Sequence, residues 1–333
     1  MKLLYLSCHG VLEYDELLLF KELGIDFFSH GCYTNPLVAG EQKRGAVGGT
    51  YHDDLFHLAA AYGKDNLHPD MIKWADVVVC MHVVDWLTNN WEKLKGKRVI
   101  WRSIGQSTLN VENMLRPLRA QGLEIIRYSP REKTIPGFVG EDALIRFYKD
   151  PAEFKGWTGV QKKVITFGQS MYDRKDFCSW SVFNEATKDY QRAIYGTPSK
   201  EKDPLYQGQV DYETLKGLLR QSRVYFYTGT YPASYTLNFI EALMTGTPVV
   251  ALGRALGNSP HEIGQNTYEV PDILDESGGG LYADDISTLK NQIKMLMEDR
   301  AFASQVSERG RQAAIKYFAK EKIKAQWKEF LNA

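Results

Sequence analysis

VYFYTGTYPASYTLNFIEALMTGTPVVAL, residues 224–252, is the most informative stretch of this chain. Apolar runs at its two ends predict buried strands, and the segment between them predicts a polar loop followed by a short helix. Backbone N–H groups at a helix N-terminus, preceded by small residues, form a ready site for an anion such as a diphosphate. The predicted helix carries one acid, Glu241, in an otherwise apolar run. Amides for a phosphate, with a carboxylate about two turns away, suit a nucleotide sugar.

Length and composition describe an ordinary globular chain. Its 333 residues suffice for two domains of roughly 150 residues each. The formal net charge is zero, which argues against a strongly basic surface for nucleic acid. The sequence has no run of about 18 apolar residues, so we expect no transmembrane helix. The apolar stretch at Met1–Ser7 is too short for a signal peptide. We expect reduced thiols and a cytoplasmic protein, because no C-x-x-C pair occurs among Cys8, Cys32, Cys80 and Cys178.

The first half of the chain alternates apolar runs with amphipathic segments. We expect strands at 3–7, 76–81, 98–101 and 123–128, and helices at 13–23 and 111–121. Such alternation predicts right-handed crossovers and a parallel sheet. Residues 31–70 show no clear period and are rich in Gly, His, Asn and Pro, so we predict a long loop with short helices there.

The second half repeats this alternation after a loose segment at 150–159, which we predict to be the linker. The pattern predicts strands at 163–167, 224–227, 248–251 and 280–282, and helices at 211–221, 236–244 and 286–298. A last helix over about 301–330 is predicted to bend near Phe318. We therefore expect an α/β fold with Rossmann-like domains over 1–155 and 156–310, followed by a C-terminal helix over 311–333.

Part of the 224–252 stretch matches a known sequence motif. Glu241 and Ala242 are followed by Gly246 and by the run Pro248–Val250. This pattern resembles the donor-site motif of retaining GT-B glycosyltransferases, especially family 4, whose second glutamate precedes Ala-x-x-x-Gly-x-Pro-Val-Val. The resemblance covers the second half of the chain by motif and the first half by architecture. It implies two Rossmann-like domains facing a cleft, an N-terminal acceptor-binding domain, a C-terminal nucleotide-sugar-binding domain, and a last helix that returns to the N-terminal domain.

The resemblance also implies donor-binding residues. Glu241 would accept hydrogen bonds from the ribose hydroxyls; the alternative is a solvent-facing helix glutamate. The family's first glutamate, which contacts the transferred sugar, falls at Ala233, whose side chain forms no hydrogen bond. The sugar contact, and with it the donor sugar, is therefore open. By the same resemblance, the backbone amides of one turn would bind the donor phosphates. The alternative interpretation is that this turn is a plain helix N-cap. The residues of the turn are Ser234, Tyr235, Thr236 and Leu237.

Two further segments of the second half resemble parts of the same donor site. The family places a Gly-Arg turn and then a Lys after a strand, and these cations neutralise the leaving diphosphate. The matching residues here are Gly168, Gln169, Arg174 and Lys175, with a solvated basic pair as the alternative reading of the last two. A Gly-x-Val segment lies along the nucleotide base in the family. Gly208 and Val210 match it, or they end a strand before an N-cap at Asp211.

The first half carries weaker signals, at the ends of predicted strands. In open α/β sheets, residues just past the strand carboxyl ends face the ligand crevice. His82 follows the strand at 76–81 and is a candidate catalytic residue, because a histidine orients on the donor sugar in many relatives; the alternative is a packed histidine. His52, Asp53, Asp54 and His57 form a cluster in the long loop whose spacing weakly suggests a metal site. No cysteine joins the cluster and no structural zinc spacing occurs, so we expect contact with the acceptor there rather than a metal. The residues that we expect to contact the acceptor are His9, Gly10, His52, Asp53 and Arg102.

These features together predict a hexosyl- or pentosyltransferase that moves a sugar from a nucleotide-diphosphate sugar to a hydroxyl acceptor. The resemblance implies retention of configuration, no metal, and no cofactor beyond the co-substrate. The acceptor stays open between a saccharide, a small molecule and a hydroxymethylated DNA base, as in phage enzymes with GT-B folds. A lipid at a membrane surface is a weaker alternative. A non-catalytic sugar-nucleotide-binding protein is another, for which Ala233 and Gln169 are the reasons.

Overall fold

A computed structural model describes residues 1–33, 47, 52–259 and 265–332 of the chain. The chain forms two compact units, one of Met1–Phe147 with Ile323–Ala333 and one of Tyr148–Lys322. Each unit has its own parallel sheet with helices, as the alternating pattern predicts. No helix in the described ranges is long and apolar enough to cross a membrane.

The first unit is built on a six-stranded parallel sheet. Its strands are β1 (Lys2–Leu6), β2 (Asp26–His30), β3 (Val77–Met81), β4 (Arg98–Arg102), β5 (Glu124–Arg127) and β6 (Ala143–Leu144). They lie in the order β2-β1-β3-β4-β5-β6. The helices are α1 (Gly10–Glu22), α2 (Asp53–Tyr62), α3 (Pro69–Trp74), α4 (Val84–Leu94) and α5 (Leu109–Arg119), and a 3-10 helix covers Pro130–Thr134. All five residues of β3 are buried, as its continuous apolar run predicts.

The second unit is built on a five-stranded parallel sheet. Its strands are β7 (Gln161–Phe167), β8 (Gln191–Tyr195), β9 (Ser222–Tyr227), β10 (Val249–Leu252) and β11 (Gly280–Ala283), in the order β11-β10-β9-β7-β8. The helices are α6 (Lys175–Cys178), α7 (Trp180–Thr187), α8 (Tyr212–Gln221), α9 (Leu237–Thr245), α10 (Arg254–Asn258), α11 (Val270–Ser277), α12 (Ile286–Glu298) and α13 (Arg300–Phe318). The last helix, α14 (Lys320–Asn332), belongs to the first unit from Ile323 onward.

The predicted bend of the last helix is confirmed. Ala319 has extended backbone angles (φ −65°, ψ 137°) and separates α13 from α14. Beyond this break, Trp327 packs edge-on against Phe20 of α1, with ring centroids 5.1 Å apart. The Arg98 guanidinium donates to the carbonyl oxygens of Phe330 and Leu331 at 2.8 and 3.0 Å. These contacts fix the end of the chain on the first unit.

The long aperiodic segment at 31–70 contains short helices, as the sequence analysis predicted. Helix α2 begins at Asp53 and α3 begins at Pro69, with His68 as its N-cap. Residues 34–46 and 48–51 of this segment lie outside the described residues. The expected short helices are therefore present in the part that the structure describes.

Candidate functional site

The predicted donor residues of the second unit lie at the carboxyl edge of its sheet. β7 lies between β9 and β8, and all three run parallel, so the segments that follow them leave the sheet on the same side. The segment after β7 leads into α6, and the segment after β9 leads into α9. Tyr231 N donates a 2.9 Å hydrogen bond to Phe177 O, and the two rings stack 5.6 Å apart. The segments that follow β7 and β9, each of which contains predicted phosphate-binding residues, are therefore in contact through Phe177 and Tyr231.

Helix α9 begins at the predicted phosphate-binding turn. Thr236 is its N-cap, in extended backbone, and the Thr236 side chain makes no capping hydrogen bond. The first amides of a helix have no intrahelical acceptors, and the positive end of the helix dipole lies there. Ser234 is fully buried, and its hydroxyl has no partner among the described residues. These features of the start of α9 are typical of an anion-binding turn rather than of a helix start whose N-cap side chain satisfies the first amides.

The side chains of Tyr235 and Ala233 face inward at this turn. The Tyr235 ring packs edge-on against Phe318, with centroids 5.3 Å apart, and tilts against Phe239 at 6.2 Å. Ala233 is buried as well. A ligand at this turn would therefore meet the backbone of these residues. A glutamate in place of Ala233 would place a carboxylate in a buried position.

Glu241 is buried and ion-paired rather than solvent-facing. Only 2% of the residue is exposed. Its Oε1 lies 2.8 Å from Nζ of Lys149, and its Oε2 accepts a 2.9 Å hydrogen bond from Nδ2 of Asn238. A carboxylate oxygen has more than one acceptor position, so both oxygens retain capacity for a ribose hydroxyl. The solvent-facing alternative is excluded, and a ribose would reach Glu241 beside an existing cation.

The turn after β7 is tied to the turn after β8. Oε1 of Gln169 accepts a 2.8 Å hydrogen bond from Thr197 N, and Ser170 N donates to Thr197 O at 3.0 Å. Gly196 has φ +143°, and a Cβ there would lie 2.2 Å from Gly168 O. Only glycine allows this close approach. Gln169 therefore positions the neighbouring turn, whereas the family's arginine at this position supplies a positive charge.

Arg174 and Lys175 supply the charge next to this turn. Arg174 is the N-cap of α6, and its amide donates to Ser170 O at 3.1 Å. Arg174 is half-buried and Lys175 is exposed. Among the described residues neither makes an ion pair, although the Lys175 ammonium lies 5.9 Å from the Tyr172 ring. Within the described part of the chain, Arg174 and Lys175 are therefore two cations without ion-pair partners at the start of α6, the helix that contacts the loop before α9.

Gly208 and Val210 lie on a segment that runs beside β8. Gln207 N donates to Ile194 O at 2.9 Å, and Gly196 N donates to Gly208 O at 3.2 Å. Asp211 is the N-cap of α8, since its Oδ1 accepts a 2.7 Å hydrogen bond from Thr214 N. The N-cap interpretation of this segment is confirmed. It is compatible with a nucleotide base along the Gly208 backbone.

In the first unit, the structure places His9, Gly10 and His82 at one edge of the sheet. His9 is the N-cap of α1, and Gly10 is the first residue of that helix. His82 follows β3 with φ +61°, an unusual conformation for a residue with a side chain. Its Nδ1 is buried without a partner among the described residues, and burial lowers its pKa to about 4. His82 is therefore neutral at neutral pH.

The structure places the other predicted acceptor residues differently. Arg102 is fully buried, 2.9 Å from the Glu16 carboxylate, and its guanidinium covers the Phe147 ring at 4.3 Å. His52 Nε2 lies 2.8 Å from Oδ1 of Asp26, the first residue of β2, and Asp53 follows His52. Asp26 is at the amino end of its strand, opposite the edge with His9. Arg102 therefore reaches the edge with His82 by its backbone, since its carbonyl oxygen accepts a 3.0 Å hydrogen bond from His82 N, while its side chain is buried within the unit. His52 lies at the opposite end of the sheet.

Two lysines at these sites were not predicted. Lys149 pairs with Glu241, and the Lys64 ammonium lies at the carboxyl edge of the first unit's sheet, where it donates to Ser7 O. Each is far in sequence from its partner, and neither falls in a motif. The described residues contain no group of three or more His, Cys, Asp or Glu side chains that could hold a metal ion.

Solved structures with the same architecture cover the whole chain. Sucrose-phosphate synthase from Thermosynechococcus elongatus gives a TM-score of 0.67 at 15% identity, over 100% of this chain and 98% of that one. HepE from Anabaena, in complex with UDP and glucose, gives 0.68 at 13% identity over 100% of both chains. A glycosyltransferase from Rickettsia africae gives 0.68 at 12% identity, over 99% of this chain and 97% of that one. The chain has the GT-B fold.

The GT-B fold confirms the predicted fold class, with its two Rossmann-like parallel sheets. At identities of 12–15% the likeness establishes the fold. No family model matches the chain, and no curated protein matches it. The activity therefore has to be argued from the residues at the sheet edges.

Proposed function

We propose that this protein is a glycosyltransferase that moves a sugar from a nucleotide-diphosphate sugar to a hydroxyl group of an acceptor. The observation that carries this proposal is the contact between the segments that follow β7 and β9, where Phe177 of α6 meets Tyr231 of the loop that leads to α9. A diphosphate needs both donors and positive charge, and this edge of the sheet offers helix amides and two cations. HepE, which has the same fold, binds UDP and glucose, so UDP-glucose is the first donor to test.

The chemistry follows from where charge develops. When the bond from the sugar C1 to the β-phosphate oxygen breaks, negative charge grows on the departing diphosphate. Arg174 and Lys175 would stabilise that charge, which lowers the barrier because the interaction strengthens in the transition state. The acceptor hydroxyl would attack C1 from the same face, and the leaving phosphate oxygen would take its proton. This route retains configuration and needs neither a protein nucleophile nor a metal ion.

In this proposal, the first unit binds the acceptor. His9 and Gly10 follow β1, and His82 follows β3, at the edge where ligands bind in open parallel sheets. Neutral His82 would hold the acceptor at this edge through a hydrogen bond. The acceptor hydroxyl is carried by a saccharide, a small molecule or a hydroxymethylated DNA base. The zero net charge of the chain favours the first two.

Hydrolysis of UDP-glucose without acceptor tests the proposal directly. Proton NMR follows the anomeric signals as glucose is released in buffer containing a metal chelator. We expect slow release of UDP and glucose, with the α-anomer appearing before mutarotation, because front-face attack keeps the donor configuration. Release of the β-anomer would contradict retention, and a rate abolished by the chelator would contradict metal independence.

A second candidate is a non-catalytic protein that binds nucleotide sugars. It is supported by Gln169, whose side chain is occupied by Thr197 N, and by the burial of Ala233. Such a protein would bind UDP-glucose without hydrolysing it. Binding with no hydrolysis, and no transfer to any acceptor in a panel of saccharides and duplex DNA, would favour this candidate over the enzyme.

A further inference from the structure

Lys64 lies at the carboxyl edge of the first unit's sheet, and the mechanism above does not use it. Its Nζ donates a hydrogen bond to the carbonyl oxygen of Ser7, which directly follows β1. The same ammonium lies 4.4 Å from the ring centroid of Trp86 on α4. Asn90, also on α4, holds the Lys64 backbone by a 3.0 Å hydrogen bond to its carbonyl oxygen. Lys64 is therefore held in place from both its backbone and its side chain.

The charge of Lys64 has no ion-pair partner among the residues that the structure describes. Glu13 acts on it at longer range, but the Glu13 oxygens already accept hydrogen bonds from Ser29, Cys32 and Tyr33. Burial lowers the pKa of Lys64, because it disfavours the charged form. A half-buried ammonium without a counter-ion is costly, and a ligand that brings a negative charge would offset that cost.

Two histidines, His30 and His82, flank this position, and each has a buried ring nitrogen without a partner among the residues that the structure describes. β1 lies between β2 and β3 in the sheet, β2 ends at His30, and His82 follows β3. Within the described part of the chain, Nε2 of His30 and Nδ1 of His82 have no hydrogen-bond partner. Such nitrogens are rare in folded proteins and point to a ligand or water that completes them. A neutral imidazole N–H can donate to an anionic oxygen.

We propose that Lys64 is the centre of an anion subsite in the first unit, which binds a carboxylate or phosphate group of the acceptor. The ammonium supplies the charge, the Trp86 ring supports an apolar face of the ligand, and His30 and His82 flank the end of β1 on either side. The assignment of this anionic group to the acceptor rests on the proposed glycosyltransferase function. Binding of a small anion at Lys64 does not.

Trp86 gives a local readout for this subsite. Its indole N–H signal in a nitrogen-15 spectrum is assigned by its loss in Trp86→Phe. The full-length protein is titrated with inorganic phosphate, with glucuronate, and with glucose as the neutral control. We expect a saturable shift of the Trp86 signal with phosphate or glucuronate and none with glucose. The stronger of the two anions identifies the acceptor group as a phosphate or a carboxylate.

Three variants separate this subsite from general effects. Lys64→Met keeps an apolar chain over Trp86 and should weaken anion binding by roughly tenfold or more, because a charged hydrogen bond is lost. Lys64→Arg keeps the charge and should retain binding, which guards against loss through misfolding. Lys95→Met, at an exposed lysine paired with Glu92, should bind like the wild type. Equal affinity in Lys64→Met, or no saturable shift with either anion, would overturn the proposal.

The same samples distinguish this inference from the proposed function. UDP-glucose is added separately, and its effect on the melting temperature is recorded. Anion binding at Lys64 without any response to nucleotide sugars leaves the subsite standing and removes the glycosyltransferase proposal. A response to UDP-glucose together with Lys64-independent anion binding removes the subsite alone.

Discussion

The ammonium of Lys149 lies 2.8 Å from the carboxylate of Glu241, and both side chains are almost completely buried. The backbone of Lys149 lies beside the break between α13 and α14, where its N–H donates a 3.0 Å hydrogen bond to Phe318 O. Lys149 lies within the first residues of the second unit, where the chain enters it from the first. Glu241 is therefore ion-paired with a residue at the start of its own unit, Lys149.

Removing Lys149 should destabilise the protein more than removing the pair. Lys149→Met leaves the Glu241 charge buried and unpaired, which should lower the free energy of unfolding by about 3–5 kcal/mol. Lys149→Met with Glu241→Met removes both charges and should recover part of that loss. Urea unfolding of the single and double variants measures the coupling. Additive losses would show that the pair is not a unit. Lys188→Met, in an exposed ion pair with Glu185, should leave the midpoint unchanged.

Glu241 should also contribute to nucleotide binding. Glu241→Gln keeps the shape of the side chain, but it loses the negative charge that strengthens a hydrogen bond from a ribose hydroxyl. We expect affinity for UDP to fall by about 1–3 kcal/mol. Calorimetry on this variant, at a temperature where it is folded, measures the change. Unchanged affinity would place the ribose elsewhere and leave Glu241 with a structural role.

Arg174 and Lys175 should matter for turnover and little for folding. Arg174→Ala with Lys175→Ala removes the cations beside the leaving diphosphate, and we expect the hydrolysis rate of UDP-glucose to fall about a hundredfold or more. The melting temperature should stay close to that of the wild type, because neither residue is fully buried. Lys162→Ala, at the exposed amino end of β7, is the matched charge control. A wild-type rate in the double variant would discard the proposed role.

Gly196 should resist substitution because of the close approach at the Gly168 carbonyl. A Cβ at Gly196 would lie 2.2 Å from Gly168 O, so Gly196→Ala must move the turn after β7. We expect a loss of at least about 1–3 kcal/mol in the free energy of unfolding. Gly156 also has a positive φ, +84°, but a Cβ added there would have no atom within 4 Å. Gly156→Ala is therefore the control for the effect of φ alone. Chemical unfolding that finds equal losses for the two variants would contradict the steric argument.

The buried histidines should make stability depend on pH. Burial lowers the pKa of His30 and of His82 to about 4, whereas an unfolded histidine titrates near 6.5. Between these values the unfolded chain binds more protons, so stability should fall as the pH drops from about 6.5 towards about 4. His82→Asn, which tolerates the positive φ, and His30→Asn should each flatten this fall. Thermal melting at a series of pH values measures the slope. Identical slopes in wild type and variants would contradict the prediction.

Much of the fold could be predicted from the chain because local and global signals agree. The helix at 286–298 has clear spacing and an Asp285 cap, and its predicted bounds match the structure. Strand β2, in which Asp26 and His30 stand at the two ends of a very short run, was not predicted. Strand β8 has the same difficulty, since Gln191 and Arg192 begin it. Both strands form only when their apolar centres pair with neighbours that are distant in sequence.

The candidate site was predictable only where a motif is continuous. The turn at Ser234–Leu237 and the Arg174–Lys175 pair follow neighbouring parallel strands, so both lie at the carboxyl edge of the sheet. The partners Lys149 and Lys64 could not be predicted, because tertiary packing alone places them beside Glu241 and Ser7. Gln169 shows the same limit of motif matching. Its position matches an arginine of the family, but its side chain bonds the neighbouring turn.

A thermal-shift screen against nucleotide-diphosphate sugars tests the central claim most directly. A ligand at a hundredfold its dissociation constant adds about 2.7 kcal/mol of stability, which a melting curve resolves. We predict that at least one nucleotide sugar, with UDP-glucose tested first, raises the melting temperature of the wild type and raises that of the Arg174→Ala, Lys175→Ala variant less. No stabilisation by any nucleotide sugar or free nucleotide diphosphate would contradict the proposal that this fold carries a donor site.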